Sequence, residues 1–439
     1  MHLLGTVLEH LDAYFLKKNL ISSNFLYLLA LFFIVCGLLI QPLPELLQGY
    51  WQILIAPSNL LTDYFAVGGY GATFVNAGIL MLLNAFMVSR HAKWMTGPLF
   101  AALFTVTGFA FFGKNLFNTI PFMMGAWLYT KFLSIPFKKV LLTALFSTAL
   151  SPVVSLVSFG QGLPLAWGIP LGYALGIFVG FVVSPIASSF LRFHLGFNLY
   201  NLGFTSGVLA MVVASVMRSF KLAVEVENIQ VTVNYGPVFG FVILLCLFLI
   251  LMGWSANRFS FKGYRALNHE AGTSVTDFVL LHGSALTLVN VGILGLLAIA
   301  YLIALGGVLN GPVMGGILTV MGFAAFGKHP RNVTPVVLGI FLMQHFMLTH
   351  DPDMTSAILA VLFGTTLAPI AGHYGPLAGF LAGALHATLV NNVGGVHAGL
   401  NLYNNGFSGG FVAATMAPVL ETIAEWRRDR AERSRISES

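Results

Sequence analysis

Long apolar runs separated by short polar stretches make up most of the chain. Several runs reach the roughly 20 residues that an α-helix needs to cross the hydrocarbon core of a membrane. Others are shorter and contain glycine or proline, which is typical of half-helices and re-entrant segments. About seven runs occur in each half of the chain, so the pattern predicts an all-α, polytopic membrane protein with about 10–14 transmembrane segments, some of them broken or re-entrant.

The second half of the chain repeats the first half. Residues 63–132 align without a gap with residues 277–346 and share 25 identities in 70 positions. Residues 194–207 align in the same way with residues 397–410, with 9 identities in 14 positions. An internal repeat of this length indicates two copies of one structural unit.

This repeat defines the predicted organisation of the chain. The residues before the first apolar run form an amphipathic segment, which does not resemble a signal peptide because it lacks a convincing cleavage site. A polar stretch separates the two copies. In chain order, the predicted segments are an amphipathic N-terminal segment at 1–23, a membrane repeat at 24–218, a linker at 219–236, a second membrane repeat at 237–423 and a basic cytoplasmic tail at 424–439.

The positions of lysine and arginine predict how the two repeats are oriented. If each repeat crosses the membrane an odd number of times and the N-terminus is cytoplasmic, 18 of the 21 basic residues fall in the cytoplasm. Basic residues are concentrated in the cytoplasmic loops of membrane proteins. We therefore expect inverted repeats, with both termini cytoplasmic. The equivalent residues Lys114 and Lys328 are expected at opposite membrane faces.

Composition excludes several classes of protein. Only 8% of the residues are charged and 57% are hydrophobic, which excludes a cytosolic enzyme. The net charge of +6 comes largely from the arginines of the tail, so we expect the lipid bilayer as a partner and no nucleic acid. Cys36 and Cys246 lie in apolar runs and predict no disulfide. We expect no cofactor and no enzymatic activity, and the composition is compatible with a homo-oligomer.

Polar residues that match between the repeats are the candidates for a solute pathway. Inverted-repeat folds usually bind solutes near the middle of the membrane, where broken helices of the two halves meet. Amide and phenol groups can replace the hydration shell of a polar solute, although they also cap broken helices and hold the halves together. The candidate pathway residues are Asn198, Tyr200, Asn201, Asn401, Tyr403, Asn404, Asn76 and Asn290. Asn76 and Asn290 open apolar runs, and for them helix capping is the favoured interpretation.

Four further matched residues are candidates for coupling or gating. Asp63 and Asp277 are the only matched acids, and a carboxylate within a membrane protein often marks an ion or proton path. Each of them could equally cap a helix. His194 and His397 precede the asparagine and tyrosine clusters, where an imidazole could gate the path or relay a proton, or be purely structural.

A third interpretation is a metal site in the second repeat. The spacing of His345, His350, Asp351 and Asp353 could provide metal ligands at a membrane face. However, the two histidines are five residues apart and do not share one stripe of a helix. A membrane-embedded metal-binding protein or enzyme is therefore a lesser alternative.

Two doubled motifs resemble those of a known family. The motifs are Asn-Leu-Tyr-Asn-x-Gly-Phe and Gly-Phe-Ala-x-Phe-Gly-Lys. With them, the chain resembles bacterial integral membrane proteins classified as domain of unknown function 1576, in which the domain occurs twice and no activity is established. The Tyr-Asn-x-Gly element is also faintly similar to the Tyr-Asn-Gly element of urea transporters, which are two inverted halves around a pore. Here one residue separates Asn from Gly, and the full urea-transporter signature is missing.

The sequence thus favours a membrane permease or channel for a small polar solute, with its pathway between the inverted repeats. The alternative is a proton- or sodium-coupled secondary transporter that uses Asp63 and Asp277.

Overall fold

A computed structural model describes residues 20–222, 224, 228–346 and 353–438, with side chains as far as residue 434. Within these ranges the regular secondary structure is helical, and two isolated β-bridges accompany the helices. The predicted all-α class is therefore confirmed. Most of the amphipathic segment predicted at 1–23 lies outside the described residues.

The first repeat contains nine α-helices. They are α1 Ser23–Ile40, α2 Leu43–Ile55, α3 Tyr64–His91, α4 Gly97–Phe109, α5 Leu116–Phe132, α6 Leu141–Ser147, α7 Ser151–Phe159, α8 Leu165–Phe193 and α9 Asn201–Ser219. A 3-10 helix at Thr148–Leu150 joins α6 to α7 and makes them one broken span. Asn115 and Asn118 exchange hydrogen bonds between side chain and backbone in a capping box, which fixes the start of α5.

The second repeat has the same order of helices. They are α10 Gly236–Ala256, α11 Tyr264–Leu267, α12 Phe278–Ala304, α13 Gly311–Phe323, α14 Pro330–Phe346, α15 Met354–Gly364, α16 Ala368–Tyr374, α17 Pro376–Val393 and α18 Asn404–Glu438. A 3-10 helix at Thr365–Leu367 again breaks one span. The long helices α3 and α12 kink at the matched residues Gly69 and Gly283, whose φ values of 83° and 79° favour glycine.

The short helices α4 and α5 form a re-entrant hairpin. With 13 residues, α4 is only about 20 Å long and cannot cross the membrane alone. The chain turns at 110–115, and α5 returns to the end from which α4 started. This return is visible where Phe137, just beyond α5, packs on His91 at the end of α3 with ring centroids 5.0 Å apart. By the alignment of the repeats, α13 and α14 form the equivalent hairpin.

The helices α4 and α13 pack against each other in antiparallel orientation. A Cβ atom on Gly97, at the start of α4, would lie 2.3 Å from the carbonyl oxygen of Ala325, just beyond the end of α13. A Cβ atom on Gly311, at the start of α13, would lie 2.2 Å from the carbonyl oxygen of Phe111, just beyond the end of α4. This reciprocal contact places a pseudo-twofold axis between the two helices. The repeats are therefore inverted, as the charge pattern predicts.

Nine spans in the described part of the chain are long and apolar enough to cross a membrane. They are α1, α3, α6–α7, α8, α9, α10, α12, α15–α16 and α18. Helix α17 takes the place of α8 in the second repeat, because it packs on Gly339 of α14 as α8 packs on Gly125 of α5. With α17 included, each repeat crosses five times, at the lower limit of the predicted range.

Both ends of the described chain lie at the same end of the molecule. The N–H of Leu20 donates to Ser284 near the start of α12, at 3.0 Å. Near the C-terminus, the Tyr374 hydroxyl donates to Glu421 at 2.9 Å, and this part of α16 packs on the loop before α12. We call this side the Asp277 end. At the opposite Asp63 end, the linker between the repeats pairs with residues 61–63.

The predicted helix starts at Asn76 and Asn290 are wrong. Both residues lie inside long helices, and the caps of these helices are Asp63 and Asp277. The caps lie 13 residues earlier because the stretch after each aspartate is helical, apart from the kinks at Gly69 and Gly283.

Candidate functional site

Two unwound loops enter the molecule from its opposite ends. Loop 194–200 precedes α9 and starts at the Asp277 end, where it accepts a hydrogen bond from the N–H of Ser274 at 3.2 Å. Loop 397–403 precedes α18 and starts at the Asp63 end, where it accepts a hydrogen bond from the N–H of Leu60 at 2.9 Å. The loops therefore approach each other along one axis.

A pair of closely packed, tilted tyrosines marks the point where the loops meet. The rings of Tyr200 and Tyr403 have centroids 4.3 Å apart and an interplanar angle of 32°. Directly after them, α9 and α18 cross at Gly203 and Gly406, where a Cβ atom on Gly203 would lie 3.0 Å from the Cα atom of Gly406. Both tyrosines are buried. The axis is therefore closed at its centre in this structure.

The amides of Asn198 and Asn401 join the two repeats at this crossing. Each Nδ2 donates to the carbonyl of the crossing glycine in the opposite repeat, at 3.0 and 3.1 Å. Each Oδ1 accepts the N–H of the tyrosine in its own loop, at 3.1 and 3.0 Å. The Thr366 hydroxyl also donates to Asn198, at 2.6 Å. This arrangement agrees with the expectation that interhelical amides hold the halves together.

The histidines of the two loops pair with the asparagines that begin the following helices. The distances from Nε2 to Oδ1 are 3.0 Å for His194 and Asn201 and 2.6 Å for His397 and Asn404. The Nδ1 atoms of both histidines are buried without a hydrogen bond in the described chain. A buried polar atom without a partner is unusual, so these imidazoles have unused capacity for a proton or a solute.

Asn76 and Asn290 hold the turns of the re-entrant hairpins. Asn76 donates to two carbonyl oxygens of turn 110–114, at 2.7 and 2.9 Å. Asn290 donates to two carbonyl oxygens of turn 324–328, both at 2.7 Å. These bonds satisfy backbone groups that the turns leave without helical partners. The structure thus gives both asparagines a structural contact rather than a place on the axis.

The expectation that Lys114 and Lys328 lie at opposite membrane faces is wrong. Both are fully buried, because each hairpin turns inside the protein and not in water. Lys114 donates through Nζ to Thr148 at 2.8 Å, and Lys328 donates in the same way to Thr365 at 2.7 Å. Each threonine begins the 3-10 helix that breaks a membrane span.

The sequence carries one signal that points to these lysines. The motif Phe-Gly-Lys occurs in both repeats and follows an apolar run too short to cross the membrane. A re-entrant run keeps the following turn inside the protein, whereas a full crossing places it in water. If the run is interpreted as a full crossing, the lysine after it is predicted to lie in water and is not considered as a site residue.

The tyrosine pair is symmetric in position but not in bonding. Lys328 donates to the Tyr200 hydroxyl, and its Nζ lies 4.4 Å from the centroid of that ring. The Tyr403 hydroxyl, in contrast, is buried and forms no hydrogen bond within the described chain. Lys114 therefore lacks the tyrosine contact that its counterpart has.

Asp63 and Asp277 cap helices in both repeats at once. Asp63 accepts the N–H of Phe65 in its own helix at 2.9 Å and the N–H of Gly311 at the start of α13 at 3.0 Å. Asp277 accepts the N–H of Leu280 at 3.1 Å and that of Gly97 at the start of α4 at 3.0 Å. Anionic caps at helix N-termini are stabilising. The sequence left two roles open for these aspartates, ion or proton coupling and helix capping. The structure shows them as helix caps.

The described part of the chain contains no group of three or more metal-ligating side chains. His345 lies in the last turn of α14, and Asp353 caps α15. His350 and Asp351, the other two residues of the metal hypothesis, lie outside the described residues.

Comparison with known proteins identifies the two repeats but no relative of known activity. A family model described as protein of unknown function (DUF1576) matches residues 43–219 and 256–422. The chain matches no curated protein and no solved structure.

Proposed function

The chain belongs to the protein family of unknown function DUF1576, carrying its domain twice, and we propose that it is a multi-pass membrane permease or channel for a small polar solute. The solute would follow the axis of loops 194–200 and 397–403, between the inverted repeats. The chain would lie in a bacterial inner membrane. The distribution of basic residues supports a cytoplasmic location for both termini.

One observation carries this proposal. Two unwound loops enter a helical membrane protein from opposite ends and meet at Tyr200 and Tyr403. Unwound backbone at membrane depth is tolerated only where it is buried in protein or lines a path, since lipid cannot satisfy its polar groups. In inverted-repeat transporters, such breaks of the helices form the solute site. The tyrosine pair at the meeting point would then be the barrier that has to open.

Permeability of proteoliposomes tests the proposal. We expect proteoliposomes of the full chain, challenged with urea, glycerol, glycine, sodium acetate or potassium chloride in stopped-flow light scattering, to take up at least one solute faster than protein-free liposomes. The double variant Tyr200→Ala, Tyr403→Ala should change that rate about tenfold or more, because it removes the ring contact that closes the axis.

A lipid-facing aromatic provides the matched control. Trp167 on α8 is 68% exposed, so Trp167→Ala should leave the rate unchanged. Rates equal to those of protein-free liposomes for every solute would contradict the proposal. A rate that is insensitive to the tyrosine double variant would refute the assigned axis.

A further inference from the structure

Two buried lysines lie on either side of the tyrosine pair. Lys328 is in the hairpin turn beside loop 194–200, where Gly327 would contact Leu199 if it carried a Cβ atom. Lys114 is in the equivalent turn beside loop 397–403, where Gly113 would contact Leu402 in the same way. The pseudo-twofold axis therefore relates one ammonium group on each side of the barrier.

The hairpin turns and the threonine hydroxyls do not depend on the lysines, whereas the Tyr200 hydroxyl has Lys328 as its hydrogen-bond partner. The turns themselves are held by the amides of Asn76 and Asn290. The hydroxyls that accept from the lysines already donate to carbonyls of their own helices, Thr148 to Leu145 at 2.6 Å and Thr365 at the same distance to Leu362. Each threonine would keep a partner if the neighbouring lysine were apolar.

Neither ammonium group meets a carboxylate among the described residues. The ion pairs between described residues are His282 with Glu270 and Arg428 with Glu421, and both include partly exposed side chains. The buried carboxylates of Asp63 and Asp277 are engaged by backbone N–H groups. Burial without a counter-ion disfavours the charged form of a lysine, so an ammonium group at either position would need an anionic ligand.

The groups around the lysines are suited to an anion. The side-chain nitrogen of Lys114 forms one hydrogen bond to the described residues, with Thr148, although an ammonium group carries three donors. The nearby Tyr403 hydroxyl is a buried donor without a bond in the described chain. Side-chain ammonium and hydroxyl donors in an interior of low dielectric attract negative charge strongly.

We infer that the solute is a small anion, which binds at Lys114 on one side of the tyrosine pair and at Lys328 on the other. This inference rests on the proposed transport function and narrows its solute class. The lysine ammonium groups provide the charge, and the threonine and tyrosine hydroxyls complete the ligand shell. Neutral solutes such as urea would lack the main interaction.

Anion flux and anion binding together test the inference. Proteoliposomes should release chloride, nitrate or acetate faster than protein-free liposomes, and Lys114→Met and Lys328→Met should each slow that release about tenfold or more. The melting temperature of the full chain in detergent should rise with the same anion, and the rise should be lost in both variants. Lys114→Arg and Lys328→Arg, which keep the charge, should retain part of both effects.

Lys262→Met, which removes an exposed lysine, is the control and should change neither measurement. Methionine fills a similar volume without burying a charge, so both test variants are expected to fold.

Separate outcomes distinguish the two proposals. Flux of urea or glycerol without anion flux, unchanged in both methionine variants, would overturn the anion inference and leave the proposed transport function intact. If no solute passes in any experiment, the transport function fails. In that case, a melting temperature that rises with an anion only when both lysines are present would still support the anion site, and its absence would overturn it.

Discussion

Single side chains of this protein act across the boundary between its halves. Asp63 and Asp277 each cap their own long helix and also bind the first N–H of the hairpin helix in the other repeat. The two bonds are reciprocal, so each carboxylate fixes the start of two helices at once. A protein with few charges has thus placed its matched acids where two backbone N-termini converge.

Replacing these carboxylates should destabilise the fold. Asp63→Asn and Asp277→Asn keep the shape of the cap but remove the charge that favours the helix N-termini, and each should cost about 1–2 kcal/mol. We expect a lower melting temperature of the full chain in detergent for both variants. Asp353→Asn is the control, because this exposed cap serves only α15 and should change stability by less than about 0.5 kcal/mol.

The same aspartate variants distinguish the coupled alternative. If the two residues are structural caps, any solute flux should be equally insensitive to sodium and proton gradients in the variants and in the unmodified chain. A flux that follows either gradient in the unmodified chain and loses this dependence in Asp63→Asn would establish coupling instead.

Pairs of helices are held together by close backbone contact. In the central α4–α13 pair, a Cβ atom on Gly108 would lie 2.8 Å from the carbonyl oxygen of Gly315. In the α5–α8 pair, a Cβ atom on Gly125 would lie 2.1 Å from the carbonyl oxygen of Ile177. Small residues permit such contacts between membrane helices and provide much of their packing.

A single methyl group should therefore disturb the central pair. Gly108→Ala pushes against a backbone carbonyl that cannot rotate away, and we expect a loss of about 1–3 kcal/mol, measured as a lower melting temperature of the full chain. Gly240→Ala is the matched control, since no atom lies within 4 Å of a Cβ at that position of α10. The control should be neutral or slightly stabilising, because alanine is the better helix former. Equal melting temperatures for the two variants would contradict the close α4–α13 contact.

The arrangement of the helices was largely predictable from the sequence. The side chains that form the candidate site, and their contacts, were less predictable. The alignment of residues 63–132 with 277–346 predicts the paired helices, and the shortness of α4 and α13 predicts re-entrance. Whether Lys114 and Lys328 are buried depends on whether the preceding run crosses the membrane, and hydropathy alone does not decide this. The roles of Asn76 and Asn290 depend on contacts 34 and 38 residues away along the chain, which no local pattern contains.

At the scale of the whole molecule, the two ends of the described chain lie on one side and the linker between the repeats lies on the other. This follows from contacts of Leu20 and Glu421 at the Asp277 end and of Ile229 at the Asp63 end. Because five is an odd number, five crossings per repeat also place the linker on the side opposite to the two ends of the described chain. The distribution of basic residues favours the Asp277 end as the cytoplasmic side, and this orientation stays a prediction.

Cysteine labelling in intact cells can test this orientation. In a background of Cys36→Ala and Cys246→Ala, Val233→Cys in the linker should react with a membrane-impermeant maleimide, because its side chain is 73% exposed at the outer end. Arg265→Cys, at an exposed position of the short helix α11 at the Asp277 end, should react only after the cells are permeabilised. Labelling of both positions from the same side would refute the inverted arrangement.

If the protein transports a solute as proposed, the unequal bonding of the tyrosine pair predicts a second conformation of the molecule. The repeats fold alike, yet only Tyr200 is bound to a lysine, while the Tyr403 hydroxyl is free of hydrogen bonds in the described chain. Exchanging the conformations of the two halves gives a counterpart in which Lys114 binds Tyr403 and Tyr200 is released. Two states related in this way have opposite polarity across the membrane, and a solute shifts their balance only by the difference in its affinity for them. The lysine–tyrosine pair that is hydrogen-bonded, Lys328 with Tyr200 or Lys114 with Tyr403, would then distinguish the two states.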